Sequence, residues 1–329
     1  LGAVAFTHQQ VSRKFNMAFS AFEIARRLQD NIERVVLGKS DIVQSLIVTL
    51  LAGEHVLLED VPGVGKTLAA KALARSIEGQ FHRLQFTPDL LPSDIVGSSL
   101  YRTDRQEFVF SKGPVFANVL LADEINRAPP RTQSALLEAM SENQVSVDGV
   151  TYPLPKPFIV VATQNPFEFE GTYPLPESQM DRFLLRTGIG YPQREVEREV
   201  LTSHRSGEPV DHLQPVVAPD EVLQAQHAVR EVRFDTTLAD YLLDIVHATR
   251  SADLFRVGVS TRGALSFYRG CQARAVTLGR DYVVPDDIKQ LAVPALAHRV
   301  IPEGVFQGAD RRSVETQLGD LLETITVPV

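Results

Sequence analysis

Asp60-Val61-Pro62-Gly63-Val64-Gly65-Lys66-Thr67 gathers residue types suited to holding phosphate oxygens. A short, mostly apolar run at 55–58 precedes it, and an Ala/Leu-rich stretch at 68–77 follows. Strand, glycine loop, Lys-Thr and helix is the layout of a P-loop. Gly63 and Gly65 let backbone N–H groups close around an anion. Lys66 opens the helix, whose N-terminal dipole favours negative charge, and its ammonium can reach β- and γ-phosphates. The Thr67 hydroxyl is a ligand for Mg2+. Pro62, Val64 and Leu68 complete the candidate nucleotide-binding stretch with these four residues. One position departs from G-x-x-x-x-G-K-[ST]: Asp60 stands where the first glycine is expected. A carboxylate near a triphosphate is repelled unless it points away or meets a metal or an Arg.

A P-loop enzyme needs an acid at the end of a neighbouring strand. Residues 119–122 are apolar or small, and Asp123-Glu124 follow, roughly 55–60 residues after the loop. There Asp123 can hold the Mg2+ shell while Glu124 polarises the attacking water. A third apolar run, 158–163, ends in Thr163-Gln164-Asn165-Pro166. Asn165 at such a strand tip can sense a γ-phosphate or orient the water. Alone, it reads better as an Asx-type turn residue before Pro. It is the ordered set of three strand ends that favours chemistry.

These strand ends need a frame. Apolar spacing predicts helices at 22–37, 41–52 and 130–140, the last with Pro near its start. Strands are expected at 55–59, 81–86, 119–123 and 158–163. Their alternation with helices predicts a parallel sheet covered on both faces, an α/β fold. Two hairpins interrupt it, one within 97–113 and one around the Asp148-Gly149 turn. After about residue 190 the pattern turns helical: 193–204, 219–230, 237–250, 261–278 and 285–297, with Asp-Thr, Ser-Thr and Pro-Asp-Asp starts as caps. Residues 1–21 read as a poorly ordered N-terminal extension, 22–190 as the α/β domain, and 191–329 as a small all-helical lid.

Composition is that of an ordinary globular chain: 329 residues, 44% apolar and 22% charged. The net charge of −8 argues against a broadly basic nucleic-acid surface. The single cysteine, Cys271, rules out an intrachain disulfide framework and reads as a packed, inert thiol. The eight histidines lack metal-ligand spacing. No apolar run approaches the length of a membrane span and no signal pattern is read at the start, so a cytoplasmic setting is expected.

Taken together, these motifs resemble the AAA+ ATPases: 60–67 is similar to Walker A, 119–124 to Walker B, and Asn165 to sensor 1. The resemblance sharpens to the MoxR family at Leu57-Leu58-Glu59-Asp60-Val61-Pro62-Gly63-Val64-Gly65-Lys66-Thr67, at Asp123-Glu124-Ile125-Asn126-Arg127-Ala128-Pro129-Pro130, and at Ala162-Thr163-Gln164-Asn165-Pro166. Gly171-Thr172-Tyr173-Pro174-Leu175-Pro176-Glu177 and Asp181-Arg182-Phe183 fit the same family, and the match runs over about 22–320. Glu-Asp before Val-Pro-Gly is familiar within it. The resemblance implies an AAA+ core with two hairpin insertions and a helical lid, binding ATP and Mg2+. It implies a homo-oligomer, usually a hexameric ring, with nucleotide at subunit interfaces. Arg182 falls at the trans-acting arginine, with Arg186 as competitor. Arg262, in Ser260-Thr261-Arg262, falls at the sensor 2 arginine that touches the γ-phosphate from the lid. Arg127 and Arg131 are further interface candidates. The implied activity is chaperone-like remodelling or maturation of a protein client, often with a partner carrying a von Willebrand A-type domain. Two other functions compete. A nucleic-acid motor predicts basic hairpin tips, and the first hairpin offers Arg102, Arg105 and Lys112, with Asp104 and Glu107 between them. A non-hydrolysing scaffold is opposed by the complete set of Lys66, Asp123, Glu124, Asn165 and Arg262.

Overall fold

The computed structural model describes residues 18–104, 106–166, 171–203, 207–303 and 311–328. A helix α1 at 18–32 is followed by α2 (Ser40–Ala52), β1 (His55–Glu59) and α3 (Lys66–Ser76). Next come β2 (Phe81–Gln85), α4 (Pro92–Val96), and the hairpin β3 (Gly97–Arg102)–β4 (Glu107–Lys112). β5 (Val119–Asp123), α5 (Pro130–Glu142), the hairpin β6 (Gln144–Val147)–β7 (Val150–Pro153), β8 (Ile159–Gln164), α6 (Glu177–Met180) and β9 (Phe183–Thr187) complete the first half. The second half holds α7 (Arg194–Ser203), α8 (Pro219–Arg230), α9 (Thr236–Ser251), β10 (Phe255–Val257), α10 (Thr261–Thr277), α11 (Pro285–Leu296), β11 (Ile301–Pro302) and α12 (Arg311–Glu323).

The α/β architecture is as expected. The main sheet runs β2-β5-β8-β1-β9, and every pairing in it is parallel. β1, β5 and β8 are buried along both faces, which is why they read as continuous apolar runs rather than alternating ones. The P-loop strand β1 lies between β8 and β9, and the Asp123 strand β5 lies between β2 and β8. This order gathers the C-terminal ends of β1, β5 and β8 at one edge, the usual place for a ligand in such sheets.

The helical caps follow local chemistry. Asp235 accepts from Thr237 N at 3.0 Å to start α9, and Ser260 accepts from Gly263 N at 3.0 Å to start α10. Asp287 accepts from Val284 N at 2.9 Å at the start of α11. The Asp148-Gly149 turn has φ of 52° and 77°, the left-handed pair that a tight hairpin requires. Stacking of Phe110 on Tyr152, with ring centroids 4.1 Å apart, joins the two hairpins.

Several boundaries differ from expectation. α1 begins at residue 18 or before, and Ala21, assigned to the extension, is buried in the core. Residues 1–17 of that extension lie outside the described residues. The expected helix at 22–37 ends at 32, in a turn that runs to Gly38. The helix at 193–204 reaches Ser203, and His204 is outside the described residues. The helical lobe is also less separate than a lid of 191–329 suggests. α8 and α10 pack on α2, and their apolar side chains share one core with α2 and α3.

Candidate active site

The glycine loop leaves β1 and enters α3 through two residues with left-handed backbone, Gly63 (φ 82°) and Gly65 (φ 98°). A side chain at either would be strained, although nothing lies within 4 Å of where its Cβ would stand. The loop therefore presents backbone to an open cradle. Lys66 is the first residue of α3, and its Nζ donates to the carbonyls of Asp60 and Gln164, the residues at the tips of β1 and β8. Burial pushes its pKa down, opposed by the carboxylates of Asp60, Asp123, Glu124 and Glu59. Thr67 is the next residue of the same turn. The donor set of Lys66, Thr67 and backbone N–H groups fits a phosphate chain with its cation.

Asp60 turns away from this cradle. Its Oδ1 accepts from Val61 N at 2.8 Å and its Oδ2 from Gly190 N at 2.5 Å. It thus pins the loop to the segment after β9. Neither a metal nor an Arg is needed to hold it. Beneath the loop, Glu59 accepts from Gln164 Nε2 at 2.9 Å and pairs with Arg186 Nε. Arg186 is thereby committed within its own chain.

Asp123 and Glu124 sit at the end of β5, held on all sides. Asp123 Oδ1 accepts from Thr163 Oγ1 at 2.5 Å. Its Oδ2 accepts from Arg83 at 2.7 Å and 3.2 Å. Glu124 has left-handed backbone, φ 56°, and its N–H donates to the same Thr163 hydroxyl at 2.9 Å. A non-glycine residue held there marks a site over-determined by its surroundings. Glu124 Oε2 accepts from Gln85 Nε2 at 2.7 Å and pairs with Arg127 at 2.9 Å. Asn165 is buried directly beyond β8. The structure thus brings Lys66, Asp123, Glu124 and Asn165 to one edge of the sheet.

Sequence reasoning missed Arg83, Gln85 and Thr163. Arg83 and Gln85 alternate along β2, on the face that meets Asp123 and Glu124. That placement depends on the β2–β5 register, which no local spacing reveals. Arg127, read as an interface candidate, pairs with Glu124 within the chain.

Arg182 and Arg262 are elsewhere, and together. Arg182 follows α6 and lines a groove with Ser134, Glu138 and Glu142 of α5. Burial lowers its pKa, and the nearby Arg262 guanidinium lowers it further. Arg262 is exposed in the first turn of α10. The start of α10, which carries Arg262, meets the Arg182 segment where Ser260 Oγ donates to Asp181 Oδ2 at 2.9 Å. On the hairpins, Tyr101 and Phe108 touch at 5.2 Å between centroids, and Phe108 is 73% exposed. Lys112 Nζ lies over the Phe116 ring at 5.2 Å, Arg102 pairs in register with Glu107, and Arg105 lies outside the described residues. That tip is more aromatic than basic.

The family models agree with this geometry. Residues 55–185 match the ATPase family associated with various cellular activities (AAA), and residues 247–318 match the AAA lid domain. The chain is 42% identical over 307 residues to the chaperone MoxR1 of Mycobacterium tuberculosis, covering 90% of this chain and 80% of that protein. This chain belongs to the MoxR family of AAA+ ATPases. It is also 47% identical over 302 residues to protein YeaC of Bacillus subtilis, covering 91% and 93% of the two chains. A solved structure of an inferred ATPase from Cytophaga hutchinsonii superposes with a TM-score of 0.85 at 37% identity, covering 97% and 99%. As a MoxR-family member the chain is an ATPase with a nucleotide-binding core and a helical lid domain. No helix among its described residues is long and apolar enough to cross a membrane.

Proposed function

We propose that this chain hydrolyses ATP with Mg2+ at the subunit interfaces of a homo-oligomeric, hexameric ring in the cytoplasm. The ring remodels or matures a protein client, acting with a partner that carries a von Willebrand A-type domain. One observation carries the interface reading. Ser260 Oγ donates to Asp181 Oδ2 at 2.9 Å, which brings the segments of Arg182 and Arg262 together closely enough for their charges to interact, while Arg186 pairs with Glu59 within its own chain. Two neighbouring guanidinium groups repel each other unless an anion lies between them. A neighbour's γ-phosphate is such an anion.

Within one chain the roles divide by position. Pro62 and Val64 shape the loop. The backbone N–H groups around Gly63, Gly65 and Leu68 hold the phosphates, and Lys66 adds a charge-assisted bond. Thr67 and Asp123 would hold the Mg2+ shell, and the metal, when bound, would supply charge neutralisation for the phosphate oxygens. Glu124 takes the proton of the attacking water, and Asn165 orients that water. Gln85 and Arg127 both hold Glu124 through Oε2, and the second carboxylate oxygen can serve as the base.

Assembly tests the proposal. ATP held between subunits binds the ring better than the monomer and shifts the equilibrium by mass action. Sedimentation of the Glu124→Gln variant with ATP should give the largest ring fraction. A monomer under every nucleotide condition would contradict the reading.

A further inference from the structure

The segment carrying Arg182 is held by the helical lobe. Arg299 follows α11, and its side chain is 1% exposed. Its Nε donates to Asp181 Oδ1 at 2.8 Å. Its terminal nitrogens donate to the carbonyls of Phe183 at 2.8 Å and Leu184 at 3.1 Å, at the start of β9, and to Ala295 within its own lobe. The second Asp181 oxygen, Oδ2, accepts from Ser260 Oγ at 2.9 Å. Ser260 is also the residue that caps α10. One carboxylate therefore bonds two separate points of the helical lobe.

Both arginines are anchored at this junction. Arg182 is the residue after Asp181, and Arg262 is two residues after Ser260. The packing there leaves little slack. A Cβ at Gly263 would stand 2.8 Å from Arg299 Cδ and 2.9 Å from Val259 Cγ1, so the Arg299 stem passes directly beneath the first turn of α10. Burial disfavours the Arg299 charge, and Asp181 restores it. A buried pair of this kind contributes little net stability compared with apolar packing, so its value lies in fixing geometry.

We infer that Asp181 and Arg299 are positioning residues: the Arg299–Asp181–Ser260 link sets Arg182 and Arg262 at a fixed spacing, so that one chain presents both guanidinium groups to a single phosphate of its neighbour. The inference rests on the interface reading of these arginines given above. Misplacing a transition-state contact by about 1 Å costs on the order of 10²-fold in rate. Loss of the link should therefore lower turnover and leave ATP binding to the variant's own P-loop unchanged.

The test uses mixed rings. Asp181→Asn and Ser260→Ala are each measured for ATP affinity by calorimetry and for kcat, with Arg182→Ala alongside. Ser260→Ala removes the bond to Asp181 and the cap bond from Gly263 N at an exposed position, and tests the link should Asp181→Asn fold poorly. Each variant is then mixed with Lys66→Ala subunits, which lack a working P-loop but carry the intact arginine pair. We expect unchanged ATP affinity, a kcat lowered by on the order of 10²-fold, and partial recovery on mixing, as for Arg182→Ala. Wild-type kcat in both link variants overturns the inference and leaves the interface reading standing. So does a lowered kcat that mixing fails to restore where it restores Arg182→Ala, because the defect then lies in the variant's own site. If Arg182→Ala itself keeps full turnover, or never recovers in proven mixed rings, the interface reading fails and this inference fails with it.

Discussion

The guanidinium of Arg83 donates to one carboxylate oxygen of Asp123 from two nitrogens, at 2.7 Å and 3.2 Å. With Thr163 on the other oxygen, both ends of Asp123 are engaged by protein. A hydrated cation would draw on the same lone pairs. Arg83→Gln should therefore lower the Mg2+ concentration needed for half-maximal ATPase activity by several-fold. A Mg2+ titration of steady-state turnover checks this. A raised requirement would mean that Arg83 serves the metal site by orienting Asp123.

Lys66→Ala and Glu124→Gln should separate binding from chemistry. The first removes a charge-assisted phosphate contact and should abolish measurable ATP affinity. The second keeps the cradle and loses the base, so it should bind ATP and cease turnover. Calorimetry and phosphate release measure the two steps. Undiminished affinity in Lys66→Ala would sink the P-loop assignment.

Asp60 makes a third prediction against the motif consensus. Replacing it with glycine restores the general pattern but deletes the bonds to Val61 N and Gly190 N. Breaking charge-assisted bonds of this sort costs roughly 1.5–3 kcal/mol each. Asp60→Gly should lower the melting temperature and give no gain in ATP affinity. A variant as stable as the parent would show that the pin to Gly190 is incidental.

Histidine burial sets a pH dependence. His55 Nδ1 accepts from Val160 N at 3.0 Å, which leaves Nε2–H to donate to Met140 O at 3.1 Å. Burial pushes its pKa from 6.5 to about 4, and lowers that of His298 well below the ordinary value. The unfolded chain therefore binds more protons than the folded one below pH 6.5. Stability from His55 is fully present above that pH and is lost as pH falls toward 4, by roughly 3 kcal/mol at the limit. Chemical denaturation at several pH values should show this slope. It should flatten in His55→Gln, and an unchanged slope would place the effect in other groups.

How much of this was legible in the sequence depends on range. The loop, the β5 acids and the Asp148-Gly149 hairpin are local, so periodicity and turn chemistry revealed them. The short strand β9 escaped periodicity, because Phe183-Leu184-Leu185 is too brief an apolar run and Arg186 follows it. α12 was missed as well. Arg83, Gln85 and Arg299 act across the fold, against residues 40, 39 and 118 positions away. Nothing in their immediate neighbourhoods distinguishes them from surface charges. The helical domain was read correctly as helical, but its shared packing with α2 was invisible, since an amphipathic pattern does not say which neighbour covers it.

That shared packing limits how the molecule can move. Rotating the helical lobe away from the sheet would break the packing of α8 and α10 on α2, whose Leu46, Leu50 and Leu51 are buried in the core they share. Each fully re-exposed leucine costs about 1.5–3 kcal/mol. A few of them together rival the free energy available from splitting one nucleotide. The shared core therefore ties the helical lobe to the sheet and resists rotation of one against the other.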